Sequence, residues 1–262
     1  MKAVILDYKQ SPESQGVAAE VLAVLTGAGC EAQICPALPD TAVDFAVVLG
    51  GDGAMIRAAK SAVTGGVPVI GVNMGRVGYL AELELADIHR LADVVAGHYY
   101  VEQRMQLRVT TPDGTVYEAL NDAVVANERG ARIAALSLTC NGQRVGSYLA
   151  DGLIFATPTG STAYSMSAGG AVIDPILDCI CVTPICSVFH RAKPMVFADS
   201  AVFVLENTTD AEEIVHLTID GTTVCELAQG QSVVIERADT EARILRLEQG
   251  GFYKALERKV RH

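Results

Sequence analysis

Three stretches of this sequence hold residue types that can do chemistry. The first is Gly50-Gly51-Asp52-Gly53, set between the apolar run Phe45–Leu49 and the helix formers Ala54-Met55-Ile56-Arg57-Ala58-Ala59-Lys60. A strand, a glycine turn and a helix N-terminus make an anion site: the first amides of the helix have no internal partner, and glycine lets a phosphate approach closely. Asp52 gives the turn its reactive group. A carboxylate beside a phosphate is repulsive unless it binds a cation or takes the proton of an attacking hydroxyl, as in phosphoryl transfer. The same four residues also suit an ordinary tight turn. They are not a Walker A loop, since no Lys-Ser or Lys-Thr follows, and they lack the Gly-x-Gly-x-x-Gly spacing of a dinucleotide fingerprint.

The second stretch runs from Asp151-Gly152 through Thr157-Pro158-Thr159-Gly160-Ser161-Thr162-Ala163-Tyr164-Ser165-Met166-Ser167 to Gly169-Gly170. Six hydroxyl side chains and a tyrosine, with no charge between 152 and 170, suit ribose hydroxyls and base edges better than a metal. Ser161 or Thr162 is placed to N-cap a helix of small residues, and a plain turn and cap is the competing reading. Gly-Ser-Thr does not match the Gly-x-Ser-x-Gly elbow, which argues against a serine hydrolase. The third stretch, Asn121-Asp122, precedes the strand Ala123–Ala126. An amide and a carboxylate at a strand entrance are costly if buried without a ligand, although a turn between strands is the simpler alternative.

The elements that must hold these groups fall into two regions. Residues 1–99 alternate: strand Lys2–Tyr8, helix Pro12–Ala28, strands Glu31–Cys35 and Asp44–Leu49, helix Ala54–Val63, strand Val67–Val72, helix Ala86–Ala96. Alternation of this kind predicts a Rossmann-like parallel α/β domain whose ligands sit beyond the carboxyl ends of the strands. Two loops emerge at those ends, Gly50–Gly53 and Asn73–Leu80. From 100 to 246 the pattern changes to short β-rich segments with Asp113-Gly114, Asn141-Gly142 and Asp220-Gly221 as hairpin turns. This predicts a mostly antiparallel β-sandwich domain. The tail 247–262 reads as helical from Phe252 to Val260 and is expected to pack back on the first domain.

Composition narrows the function. The chain of 262 residues carries a net charge of −11 and is half hydrophobic. The acidic balance argues against nucleic acid and membrane surfaces as partners, so an anionic substrate needs local devices: backbone amides, a few arginines and a divalent cation such as Mg²⁺. The N-terminus turns acidic too soon for a signal peptide, and a cytoplasmic protein is expected. Seven scattered cysteines without a C-x-x-C pair read as reduced thiols rather than a zinc site or disulfide framework.

With these segments in order, the sequence resembles the NAD kinases over nearly its whole length. Gly50-Gly51-Asp52-Gly53, Asn73-Met74-Gly75 with Gly78-Tyr79-Leu80, Leu120-Asn121-Asp122, and Asp151-Gly152 through Gly169-Gly170 carry the resemblance. The first motif is shared with lipid kinases and related to one of phosphofructokinases; the fourth is specific to NAD kinases. The resemblance implies transfer of the ATP γ-phosphate to the 2′-hydroxyl of the adenosine ribose of NAD, and a homo-oligomer, dimer or tetramer. It implies Asp52 as catalytic residue and Gly50, Gly51, Gly53 and Asn73 on the phosphates. Gly53, Arg57, Asn121, Asp122, Asp151, Thr162, Ala163, Tyr164, Ser165, Ser167 and Cys186 fall at substrate positions.

Three departures stand out. Asp122 occupies a position where many members carry glutamate. Ser187-Val188-Phe189-His190-Arg191 replaces a common Pro-His-Ser-Leu-Ser, and Asp220-Gly221-Thr222 has threonine where many carry glutamine. The rival readings are a lipid or sugar kinase with the same glycine turn, which the acidic charge disfavours, and a dinucleotide-binding sensor without turnover.

Overall fold

The computed structural model describes residues 1–75, 78–127, 133–189, 192–210 and 214–260. Arg76 and Val77 of the second loop, and His190 and Arg191, therefore lie outside the described residues. The chain divides into two compact units, Met1–Arg104 with Ala242–His262, and Met105–Glu241.

In chain order the first unit contributes β1 (Lys2–Leu6), α1 (Pro12–Gly27), β2 (Glu31–Cys35), β3 (Phe45–Leu49), α2 (Asp52–Ala62), β4 (Val69–Asn73), the two-residue β5 (Leu83–Glu84) and α3 (Leu91–Val95). The second holds most of β6 (Tyr100–Thr110), then β7 (Val116–Ala119), β8 (Asp122–Asn127), β9 (Ala134–Cys140), β10 (Gln143–Ala150), β11 (Gly152–Ala156), α4 (Tyr164–Ser167), β12 (Cys179–Ile185), β13 (Met195–Ala198), β14 (Phe203–Asn207), β15 (Val215–Ile219) and β16 (Thr222–Leu227). The long β17 (Ser232–Arg246) ends in the first unit, and α5 (Gly251–Val260) closes the described chain.

The first unit is the parallel α/β layer that its alternation predicts. Its strands run β4-β3-β1-β2, all parallel, with the end of β17 pairing β4 through Ile244 and Val69. Both β3 and β4 are buried along their whole length, which is why they read as unbroken apolar runs. Val21 and Leu25 of α1 pack on Ile5, Val47 and Ile70. The chain leaves β1 for β2 on one side and returns to β3 on the other, so the strand order switches between β1 and β3, where open α/β sheets bind ligands. One element differs from expectation. The helix read over Ala86–Ala96 is a 3₁₀ turn at Leu85–Arg90 followed by five α-helical residues.

The second unit is a β-sandwich. One sheet runs β13-β12-β11-β8-β15-β16, antiparallel throughout; the other contains β10-β9-β14-β17, also antiparallel, with β6 and β7. Alternate residues of both sheets face one core, in which Leu153 and Phe155 meet Leu138, Phe203 and Leu205. Phe155 and Phe203 pack edge to face at 5.3 Å. Strand β12 is invisible to pattern reading because Pro184 falls inside it. β13 pairs only as far as Val182, so Pro184 lies where β12 has a partner on one side only.

Candidate functional site

The first unit places its glycine turn at the end of β3. Gly50 turns the chain at φ +147°, and α2 begins at Asp52. Among the described residues the amides of Gly51, Asp52 and Gly53 have no partner in the protein, while the Gly51 carbonyl accepts from Ala54 and Met55. These free donors at a helix start suit an anion. The Asp52 carboxylate is held from the neighbouring loop: Oδ2 accepts from the Tyr79 amide at 2.9 Å and Oδ1 from the Leu80 amide at 3.0 Å. Gly78 makes this approach possible, because a Cβ there would lie 2.1 Å from Asp52 Oδ1. Each carboxylate oxygen has a second lone pair, so the group keeps acceptor capacity for a substrate.

Arg57 stands one turn along α2, exposed, with its guanidinium 4.2 Å over the Tyr8 ring at the end of β1. Burial pushes the Tyr8 hydroxyl upward from its ordinary pKa, and the Arg57 charge pulls it back. Asn73, expected at a phosphate, ends β4. It is buried, its Nδ2 donates to Glu84 and to the Gly75 carbonyl, and its Oδ1 accepts the Gly75 amide. Its hydrogen bonds shape the loop.

The second unit encloses a cavity of about 550 Å³ lined by Asn121, Asp122, Ala163 and Tyr164, together with His216 and Asp220. Two motifs some 40 residues apart meet here through the backbone. The Thr157 amide and hydroxyl donate to the Asn121 and Leu120 carbonyls, at 2.9 and 2.6 Å. Gly160 abuts Asn121 so closely that a Cβ would sit 2.0 Å from its carbonyl oxygen. Thus Thr-Pro-Thr-Gly is the clamp that carries Ala163 and Tyr164 to the Asn-Asp pair. Tyr164 is 46% exposed, its ring available to a ligand.

Asp220 fixes the same pair from the other side. It occupies the tight turn between β15 and β16, at φ +45° with Gly221 at +79°. Its Oδ1 accepts the Asn121 and Asp122 amides at 2.8 and 3.2 Å, and its Oδ2 the Leu120 amide at 3.0 Å. Asp122 has no such support. Only 5% of it is exposed, and no described residue donates to its carboxylate. Burial first, then the charge of Asp220, pushes its pKa up to about 7. His216, also buried, lies with Nε2 3.6 Å from a carboxylate oxygen of Glu226.

The remaining expected residues lie outside this lining. Ser165 is fully buried and bonded to the Thr183 hydroxyl at 2.8 Å. The Thr162 hydroxyl turns to the Thr159 carbonyl at 3.3 Å. Ser167 and Cys186 are exposed, and the Asp151 backbone bridges Ile185 and Asn127. The expected N-cap is also different. Ser161 is buried, donating to the Pro158 carbonyl and accepting the Ile173 amide, and α4 is a four-residue helix with no side-chain cap. The hydroxyl-rich stretch therefore spends several hydroxyls on its own folding. Asp220 and His216 escaped sequence reading, the first because Asp-Gly already explains a hairpin and the second because a lone histidine in a strand carries no pattern.

A parallel α/β unit presenting a glycine turn with one positioned carboxylate at a helix start, joined in one chain to a β-sandwich whose largely apolar cavity carries a few polar groups, defines a phosphotransferase acting on nucleotides. Residues 9–100 match the family model of the ATP-NAD kinase N-terminal domain, and residues 120–247 that of the ATP-NAD kinase C-terminal domain. The chain is 35% identical over 280 residues to the NAD kinase of Geobacter sulfurreducens, covering 99% of this chain and 98% of that protein. It is 42% identical over 224 residues to the NAD kinase of Symbiobacterium thermophilum, covering 83% and 78%. A solved NAD kinase from Archaeoglobus fulgidus in complex with ATP superposes with a TM-score of 0.80 at 25% identity, covering 100% of this chain and 99% of that one. The chain belongs to the NAD kinase family.

Proposed function

We propose that this enzyme transfers the γ-phosphoryl group of ATP to the 2′-hydroxyl of the adenosine ribose of NAD, releasing ADP and NADP. One observation carries the chemistry: Asp52 opens a helix whose first amides are free, with its carboxylate oriented by two backbone donors. A secondary alcohol is a poor nucleophile at neutral pH. Asp52 aims that hydroxyl at the γ-phosphorus and accepts its proton as the new O–P bond forms, while the bond to the ADP oxygen breaks. The amides of Gly51, Asp52 and Gly53 receive phosphate oxygens, and Arg57 adds a positive charge one helical turn away. Divalent cation enters with ATP as part of the substrate. Among the described residues no three His, Cys, Asp or Glu side chains cluster as a cage, and Asp52 is the carboxylate of this turn that would meet the ion, the usual donor set for Mg²⁺ on a nucleotide.

The cavity of the second unit takes the adenosine end of NAD. Asn121 reads an amide or base edge, Asp122 accepts from ribose hydroxyls, and Tyr164 covers the ring face. No described helix is long and apolar enough to cross a membrane, and we place the protein in the cytoplasm. Exposed Ile176, Leu177, Val188 and Phe189 support a homo-oligomer, which light scattering on the purified protein would read as a mass above that of one chain. The function itself is tested by offering MgATP with NAD, diacylglycerol or fructose 6-phosphate and following ADP. ADP release with NAD alone, matched by NADP formation, is expected. Release with another acceptor, or NAD binding without ADP, would overturn the reading.

A further inference from the structure

We propose that the C-terminal helix α5 is a positioning element for Asp52, acting through Tyr79; the proposal rests on Asp52 as the proton acceptor. A carboxylate held by two consecutive backbone amides is only as well placed as those amides. Each is anchored by a separate device near the end of the chain.

Tyr79 is 8% exposed, and its ring meets two side chains of α5. Phe252 packs on it with ring centroids 5.9 Å apart, and Lys259 Nζ sits 4.0 Å from its centroid. An ammonium over an aromatic face and a ring–ring contact each resist displacement of the tyrosine. Leu80 is tied through its carbonyl, which accepts from Arg246 Nη1 at 2.9 Å. Arg246 is in turn fixed by Glu82 at 3.1 Å and Glu102 at 2.9 Å, and the other Glu82 oxygen accepts the Leu247 and Glu248 amides. On the remaining side, the bare Cα of Gly78 lets the Asp52 carboxylate sit close against the loop.

The helix does not pack flush on this loop. A polar cavity of about 260 Å³ is lined by Gly78, Tyr79 and Glu82 on one side and by Lys254, Ala255 and Arg258 on the other. Through Phe252 and Lys259 the Tyr79 ring is a direct contact between α5 and the residues that hold Asp52. Displacing the reacting carboxylate by about 1 Å is worth up to roughly a hundredfold in rate.

The test is a cycle of Phe252→Ala, Asp52→Asn and the double variant in full-length enzyme, measuring kcat, both KM values and Tm. Phe252→Ala is expected to lower kcat roughly tenfold with both KM values nearly unchanged, and Phe252→Leu to restore most of it. In the Asp52→Asn background the same change is expected to cost nothing further, because residues acting as a unit are non-additive. A kcat for Phe252→Ala within twofold of wild type would overturn the proposal, as would losses that multiply in the double variant. If Phe252→Ala does not fold, surface Lys259→Met reads the same route, with a smaller loss of kcat that also vanishes in the Asp52→Asn background. An Asp52→Asn enzyme with wild-type kcat would remove Asp52 from the chemistry, a failure distinct from that of the helix.

Discussion

The two candidate sites, one in each unit, spend their carboxylates in opposite ways. In the first unit Asp52 accepts two backbone amides and keeps lone pairs for a substrate. In the second, Asp220 gives both oxygens to three amides, and Asp122 beside it receives none and is pushed up to about 7. The difference shows how a protein assigns roles to one side chain. A carboxylate bonded to rigid amides is fixed in place and serves as a positioned acceptor or a strut. A bare buried one becomes a group whose charge depends on its occupant and on pH.

The largest expected effect is at the glycine turn. Asp52→Asn removes the proposed proton acceptor and keeps only one of the two oxygens that accept the Tyr79 and Leu80 amides, and kcat should fall roughly 10²–10⁴-fold in a coupled ADP assay. A near-normal rate would make Asp52 a turn residue. Next comes the strut of the cavity. Asp220→Ala strips the acceptor from three amides, each worth on the order of 1 kcal/mol or more when left unpaired. KM for NAD should rise about tenfold or more and Tm should drop, with KM for ATP little changed; equal damage to both KM values would mean that Asp220 supports more than the cavity. A milder effect is expected at the cavity wall. Tyr164→Ala should raise KM for NAD about two- to tenfold, the loss of one contact of roughly 0.5–1.5 kcal/mol, and leave KM for ATP alone.

Asp122 sharpens the comparison through pH. Its native pKa of about 7 lies above the ordinary carboxylate value, so between these values the folded state binds more protons than the unfolded chain. Stability then falls as pH rises through that window and levels off above about 7. Asp122→Asn cannot ionise, so its Tm advantage should be absent near pH 4 and grow as pH rises to 8. Thermal melts across pH decide this. The same charge repels a 2′-phosphate, so the variant should also bind NADP more tightly relative to NAD at pH 8 than wild type does. An unchanged ratio in calorimetry would leave Asp122 as an acceptor only.

Much of this architecture was legible because it rests on short-range pattern. The unbroken apolar run Phe45–Leu49 and the turn that follows it announced a buried strand and a helix start, and the structure has β3 and α2 there. The β-sandwich showed in alternation and in Asp-Gly and Asn-Gly turns. What the sequence hid is what depends on partners. Six hydroxyls between 157 and 167 look like a ligand surface, yet Thr157, Ser161 and Ser165 are satisfied by Leu120, Pro158 and Thr183. Asn73 looks outward by type and turns to Glu84 and its own loop. Asp220 looks like half of a hairpin turn, and its second task as a three-amide strut exists only once β8 lies beside β15.

The central claim is a division of labour: turnover belongs to the glycine turn and dinucleotide affinity to the cavity. Calorimetric titration of NAD into Asp52→Asn tests it most directly, on the protein sample whose turnover has just been measured. The account predicts a Kd for NAD within about twofold of wild type, less than the loss of one hydrogen bond, in an enzyme that has lost nearly all ADP release. A Kd that weakens in step with kcat would contradict it, since the carboxylate of the turn would then be holding the dinucleotide rather than reacting with it.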